Sequence, residues 1–253
     1  MSRAISVLVA VLCVSVLSNV APARAEMTPS AAVDRIPVFP ADIAALQCPA
    51  INLDKASGKP LAEIFKAEQD AQTALLQSTL RANLGPAAGT MNDKQIAAVT
   101  AASDPTLAQC GDDNYAGLLA MGDVDRRESD SMHPIDDSFR AALDACPDDG
   151  ELKEESCVKK VRAAHRAKVS AALAAYVREA APKLNQAAQT IKTCALRREK
   201  VAADVKAANI PPAFAMMALQ YPVMSWALLD SLMTDRAHVC DVVANDRERY
   251  REP

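Results

Sequence analysis

Apolar residues recur at intervals of three and four from Phe139 to Ala208, which predicts two helices joined by a turn. The first helix ends at Cys146, because the sequence Pro147-Asp148-Asp149-Gly150 that follows favours a turn. The second carries one apolar stripe, with basic residues on its other side. Pro182 interrupts that stripe and predicts either a kink or a new helix start. A short helix and then a very long helical run are therefore expected.

Helical patterns also occupy most of the remaining chain, and no segment shows the alternation typical of strands. The predicted helices are Pro60 to Leu80, Asn92 to Ala102, Asp104 to Cys110, Tyr115 to Met121 and Pro222 to Val243. The polar residues 122–134 favour a surface loop instead. We therefore predict an all-α fold, a disulfide-stapled helical bundle of about five to seven helices with an extended N-terminal arm.

The boundaries of this organisation follow from the same pattern. We predict an extended arm and loop over residues 26–59, one helical domain over residues 60–245, and a solvated C-terminal tail over residues 246–253. Residues 1–25 have the features of a secretory signal peptide: Arg3, an uncharged apolar core from Ile5 to Leu17, and the cleavage sequence Ala23-Arg24-Ala25. We therefore predict cleavage after Ala25 and a periplasmic or secreted protein with no integral membrane span.

The cysteine content supports an exported protein. Seven cysteines are present, and six remain when Cys13 leaves with the signal peptide. An even number in an exported chain favours a disulfide framework, although free buried thiols are the alternative. Cys146 and Cys157 flank the turn between two helices, so we expect them to pair. The other expected pairs are Cys194 with Cys240, on the inner faces of late helices, and Cys48 with Cys110.

Charge and motifs exclude several classes of function. Without Arg3 and Arg24, the 28 basic residues fall to 26 against 32 acidic ones, a net charge of −6 that argues against a nucleic-acid partner. The chain lacks a G-x-S-x-G nucleophile motif, a glycine-rich phosphate loop and a C-x-x-C pair. We therefore expect no cofactor and favour a non-catalytic protein.

Histidines and acidic residues are the remaining candidates for chemistry. His133, His165 and His238 are interpreted as helix-face histidines with ordinary hydrogen-bond partners, because their spacing matches no metal motif. Aspartates crowd the region from Asp112 to Asp137, which is interpreted as a solvated acidic loop. The alternative is a periplasmic metal-binding protein or enzyme that uses His133 and this acidic loop, because oxygen-rich loops bind cations.

The region from Phe139 to Arg178 resembles part of a known family. Phe139-Arg140 leads to Cys146, and Cys157-Val158-Lys159-Lys160-Val161-Arg162 opens an apolar helix. This arrangement resembles the back half of the lysozyme-inhibitor-like family of small exported helical domains. The resemblance implies a binding or inhibitor-type protein whose partner is an envelope protein. The specific partner that it implies is a lysozyme.

Overall fold

Three long helices dominate the computed structural model, which describes residues 27–48, 53–67, 69–70, 91–147, 151–210 and 212–249. The predicted signal peptide, residues 1–25, lies outside the described residues, as does the second half of the helix predicted from Pro60 to Leu80. The shorter elements are α1 (Pro29–Val33), a 3-10 turn (Ile43–Ala45), α2 (Leu53–Ser57), α3 (residues 61–67) and α4 (Asp93–Ala102). The long helices are α5 (Pro105–Asp144), α6 (Glu151–Ala207) and α7 (Pro212–Arg249).

The long helices form an up-down-up bundle. Helices α5 and α6 are antiparallel, because Asp136 meets His165 near their shared turn while Leu107 meets Arg198 far from it. Helix α7 returns along α6, so α5 and α7 run in the same direction. The described residues contain no strand, and the predicted all-α, disulfide-stapled bundle is confirmed.

The core lies where α5, α6, α7 and the N-terminal segment meet. On α6, Ala180 and Ala181 are fully buried beside Val177 and Leu184. Small side chains let neighbouring helices approach closely, which explains how an alanine-rich chain fills its core. A second cluster packs α4 against the far end of α6 and the start of α7, where the Tyr221 hydroxyl donates to the carbonyl of Ala102 at 2.5 Å.

The end of α6 is set by local chemistry. Asn209 adopts a left-handed conformation with φ of 50°, which ends the helix directly after Ala208, the last residue of the predicted helical pattern. The side chain of Gln95, in the capping box of α4, donates to the carbonyls of Ala208 and Asn209 at 3.4 and 3.3 Å. This contact satisfies carbonyls that have no partner within the helix.

The predicted surface loop over residues 122–134 is wrong, because α5 passes through it as a continuous helix of 40 residues. The same helix absorbs the short helices predicted from Asp104, from Tyr115 and from Phe139. Met121, Val124 and Met132 are buried along this stretch, and that burial outweighs the local preference of its glycine and proline for a break. Pro134 is exposed within the helix.

Prolines in the other long helices behave in the same way. Pro182 lies inside α6. Of the two predicted alternatives, a new helix start at Pro182 is therefore wrong, because α6 continues through this residue. Pro222 lies inside α7, which begins at Pro212 and not at Pro222 as predicted. Helix α7 also continues to Arg249, past the predicted start of the tail at residue 246.

One of the three expected disulfides is confirmed, and two are wrong. Cys146 pairs with Cys157 across the α5–α6 turn, with 5.8 Å between their Cα atoms. The expected pairs Cys194–Cys240 and Cys48–Cys110 are replaced by Cys110–Cys194 and Cys48–Cys240, with Cα separations of 5.7 and 6.0 Å. Helix register explains the Cys110–Cys194 pair, since Cys110 lies 36 residues before Cys146 and Cys194 lies 37 after Cys157. Cys240 then remains for Cys48.

The disulfides also bear on the compartment in which the chain folds. Such bonds persist in oxidising environments, such as the periplasm or the outside of the cell, and are rare in the cytosol. Three of them fit an extracytoplasmic protein. Within the described part of the chain, every helix is too short or too polar to cross a membrane.

Candidate functional site

The structure disperses the acidic region that the sequence singles out. Asp123, Asp125, Asp130, Asp136 and Asp137 are spread over about four turns of α5. The side chains of Asp112 and Asp113 are outside the described part. His133 is exposed on the same helix. Across the described residues, no three His, Cys, Asp or Glu side chains are grouped so that they could hold a metal ion. The acidic loop on which the metal-binding alternative depends is therefore wrong.

His165 serves the packing of α5 against α6. The side chain is 5% exposed, and its Nε2 lies 3.2 Å from Oδ1 of Asp136. Its ring stacks on Phe139, with 4.1 Å between ring centroids. Asp136 and Phe139 are one turn apart on α5, so both can contact the same histidine. The interpretation of His165 as a helix-face histidine with a hydrogen-bond partner is confirmed.

Acidic side chains gather instead along the line where α5, α6 and α7 meet. We call this group the acidic seam, and it comprises Asp125, Glu128, Asp235 and Asp246. At its centre, one oxygen of Asp125 accepts a hydrogen bond of 2.6 Å from the Tyr176 hydroxyl. The other oxygen lies 3.5 Å from Nε2 of His238. One carboxylate thus joins all three long helices.

The seam holds negative charge at an energetic cost. Burial raises the pKa of Glu128, and the Asp246 carboxyl, hydrogen-bonded to it and close enough to repel it, raises that pKa further. Burial and repulsion from Asp125 raise the pKa of Asp235 in the same way. His238 acts in the opposite direction on both groups. Partial burial and like charges disfavour the ionised carboxylates, so added positive charge would stabilise them.

Tyr176 is the least exposed polar group beside the seam, at 4%. Burial raises the pKa of its hydroxyl, and the hydrogen bond to Asp125 raises it further. The hydroxyl therefore stays protonated and donates to Asp125. It fixes the carboxylate in place and is not activated as a nucleophile.

A second polar group lies at the other end of the bundle. Arg198 is fully buried, and its Nη2 donates to the carbonyl of Leu107 at 3.1 Å. Its guanidinium lies 5.7 Å from the centroid of the Tyr221 ring. Within the described structure, Nε and Nη1 have no hydrogen-bond partner. Burial lowers the pKa of Arg198.

Sequence reasoning named some of these groups without placing them together. It placed Asp125 in the acidic region and treated His238 separately. It assigned Tyr176 to the apolar stripe of the long helix and passed over Glu128. The spacing between Asp235, His238 and Asp246 on α7 offered a signal, because residues three or four apart, or eleven apart, return to one helix face.

Comparisons of the chain with protein-family models, with curated proteins and with solved structures find no match. Function is therefore inferred from the residues and their geometry.

Proposed function

We propose that this chain is an exported, non-catalytic binding protein that engages a basic partner protein through the acidic seam. The main support for this proposal is the acidic seam, in which partly buried carboxylates of α5 repel those of α7. Lysine or arginine side chains of a partner would stabilise the ionised carboxylates. The net charge of −6 that remains after removal of residues 1–25 adds a long-range attraction for a basic partner.

The chemistry of the candidate nucleophiles supports a non-catalytic role. The six cysteines after the predicted signal peptide are all in disulfides, so none is a thiolate. Tyr176 holds its proton, and His165 is buried against Phe139 and Asp136. The resemblance of Phe139 to Arg178 to the lysozyme-inhibitor-like family suggests a lysozyme as the basic partner.

The proposal also locates the protein in the periplasm or outside the cell, after cleavage at Ala25. Intact mass of the protein from a secreting host tests this part. We expect a chain that begins at Glu26 with six cysteines oxidised. A chain that retains Met1 would contradict it.

Direct binding to lysozyme tests the function. The mature chain is immobilised, and lysozyme binding is measured at low and high salt, with residual cell-wall hydrolysis as the second measurement. We expect the double variant Glu128→Gln/Asp235→Asn to bind about tenfold more weakly, which corresponds to about 1.4 kcal/mol. The matched control is Asp130→Asn/Asp144→Asn, which removes the same charge from exposed positions of α5.

The outcomes separate the two parts of the proposal. If lysozyme does not bind the wild-type chain at low salt, lysozyme is not the partner. If it binds but the seam and control variants weaken binding equally, only overall charge matters and the seam is not the site.

A further inference from the structure

The Cys110–Cys194 disulfide and the buried Arg198 lie at the same end of the bundle. Both cysteines are buried, at 7% and 3% exposed. Arg198 follows Cys194 by four residues on α6, and its Nη2 donates to the carbonyl of Leu107, which precedes Cys110 by three residues on α5. Residues three or four apart lie about one turn apart on the same helix face. The guanidinium therefore lies within about one helical turn of the disulfide along both helices.

The direction of the Arg198 side chain brings it closer to the disulfide. Long side chains of an α-helix lean toward its N-terminus and lie over the preceding turn. The turn that precedes Arg198 contains Cys194. Helix carbonyls point toward the C-terminus, so the Leu107 carbonyl that accepts from Arg198 is directed along α5 toward Cys110. The side chain thus leans toward one cysteine and bonds to the turn that carries the other.

Arg198 is a buried charge whose surroundings lack an acidic partner among the described residues. The side chain is 0% exposed, and two of its three nitrogens have no hydrogen-bond partner in the described structure. Burial lowers its pKa, and the opposing effect comes from Tyr221 and not from a carboxylate. Buried charges in proteins are normally paired. The oxidised protein therefore leaves this charge without the counter-ion that such a site requires.

The other ionisable groups described near Arg198 are exposed or neutral. The Arg197 side chain is 46% exposed and lies 3.6 Å from Oδ2 of Asp104, which is 40% exposed. Burial raises the pKa of Tyr221, and its hydroxyl donates to the carbonyl of Ala102. Tyr221 is therefore uncharged. Among the described side chains, Arg198 is the charge directed toward the disulfide.

We propose that Arg198 activates the Cys110–Cys194 pair for disulfide formation, because its guanidinium stabilises the thiolate of Cys194 while the chain is reduced. A cation beside a thiol favours the thiolate, which is the form that attacks a disulfide. The missing counter-ion is then the thiolate itself. Formation of the bond removes this negative charge and leaves Arg198 without a partner in the oxidised structure.

The reaction balances with oxidised glutathione as the oxidant. The Cys194 thiolate attacks one sulfur of glutathione disulfide, so that a mixed disulfide forms and one glutathione thiolate leaves. Cys110 then loses its proton and attacks the Cys194 sulfur, and the second glutathione leaves as a thiolate. The protein thiols lose two electrons and two protons in total. The two glutathione molecules take them up and end as thiols.

Oxidative refolding of charge variants tests the proposal. The mature chain, Arg198→Lys and Arg198→Met are reduced, unfolded and refolded with oxidised glutathione. The refolding is carried out at about pH 6.5 and about pH 9.5, below and above the ordinary thiol pKa of about 8.5. Free thiols are alkylated at intervals, and disulfide-linked peptides are measured by mass spectrometry. The Cys146–Cys157 bond at the other end of the bundle is the control within the same molecule.

We expect Arg198→Met to slow formation of the Cys110–Cys194 bond about threefold at the lower pH and to leave the Cys146–Cys157 bond unchanged. A tenfold larger thiolate fraction gives about a threefold faster attack, because nucleophilicity falls as the thiolate becomes less basic. Arg198→Lys keeps the charge and should retain most of the wild-type rate. At the higher pH the difference should disappear, because the thiols ionise without help.

Three results would overturn the proposal: no slowing in Arg198→Met, equal slowing of both disulfides, or the same slowing at both pH values. Equal slowing of both bonds would show that the substitution only impairs folding.

A second measurement uses the wild-type chain and covers a variant that does not fold. The reduced chain is treated with iodoacetamide over a range of pH, in buffer and in concentrated urea, and alkylation of Cys194 is followed. Burial alone moves the ionisation of a thiol to higher pH, whereas a neighbouring cation moves it to lower pH. We expect half-maximal alkylation at a lower pH in buffer than in urea. An equal or higher midpoint in buffer would refute the role of Arg198.

Neither measurement involves the acidic seam or a partner protein. The outcome for Arg198 is therefore independent of lysozyme binding.

Discussion

Several charged side chains of this bundle are partly or fully buried, and burial changes their pKa values. Glu128 and Arg198 are the clearest cases, since burial raises the pKa of the first and lowers the pKa of the second. In both residues burial favours the neutral form. Each therefore gives a prediction in which a neutral side chain of similar size replaces a charged one.

For Glu128, we expect the variant Glu128→Gln to be more stable than the wild type at about pH 7 and to lose this advantage at about pH 4. The folded-state pKa of Glu128 lies above its ordinary value of 4.5. Its stabilising contribution is therefore present at low pH and is lost as the pH rises through the folded-state pKa. Urea unfolding at the two pH values measures the difference, with Asp130→Asn as the exposed control. An advantage that grows on acidification would contradict the sign.

For Arg198, we expect Arg198→Met to be at least as stable as the wild type and more stable than Arg198→Ala by about 2–4 kcal/mol. Methionine fills the volume of the buried stem and removes two nitrogens that lack partners in the described structure. Alanine leaves a cavity. Denaturant unfolding of the three proteins measures the differences. A loss of stability in Arg198→Met as large as in Arg198→Ala would show that the charge is satisfied.

At the scale of elements, the antiparallel register of α5 and α6 organises the contacts. The Cys146–Cys157 bond closes the turn, and pairs of residues at matching distances from it meet along the helices. Asp136 meets His165, and Cys110 bonds to Cys194. Continuous helices replace the broken ones predicted around Pro134 and Pro222, because their buried faces extend across the prolines.

The disulfides differ in the length of chain they close, which predicts an order of stabilities. Cys146→Ser/Cys157→Ser opens a separation of 11 residues and should cost about 3 kcal/mol in the chain-entropy account. Cys48→Ser/Cys240→Ser opens a separation of 192 residues and should cost about 5 kcal/mol. Chemical unfolding of both double variants tests this order. A greater loss from the short-range pair would indicate that the turn itself depends on its disulfide.

At the scale of the whole molecule, the bundle is long for its mass. The 57 residues of α6, at about 1.5 Å each, extend about 86 Å when straight. A compact domain of the 228 residues left after removal of residues 1–25 would have a radius of gyration of about 17 Å.

We therefore expect small-angle X-ray scattering of the mature protein to give a radius of gyration larger than about 20 Å. The measurement is extrapolated to zero concentration so that association between molecules does not contribute. A value of about 17 Å would show that the long helices bend back into a compact domain.

Sequence alone determined the helical class, the end of α6 at Asn209 and the Cys146–Cys157 bond. These depend on local spacing, on a residue suited to a left-handed conformation and on a turn of few residues, all of which are visible along the chain. Tertiary structure decided the continuity of α5, the partners of Cys48, Cys110, Cys194 and Cys240, and the assembly of the acidic seam. Those features depend on which helix faces meet and in what register. Burial of apolar side chains across those contacts outweighs the local preference of proline, glycine and aspartate for turns and loops.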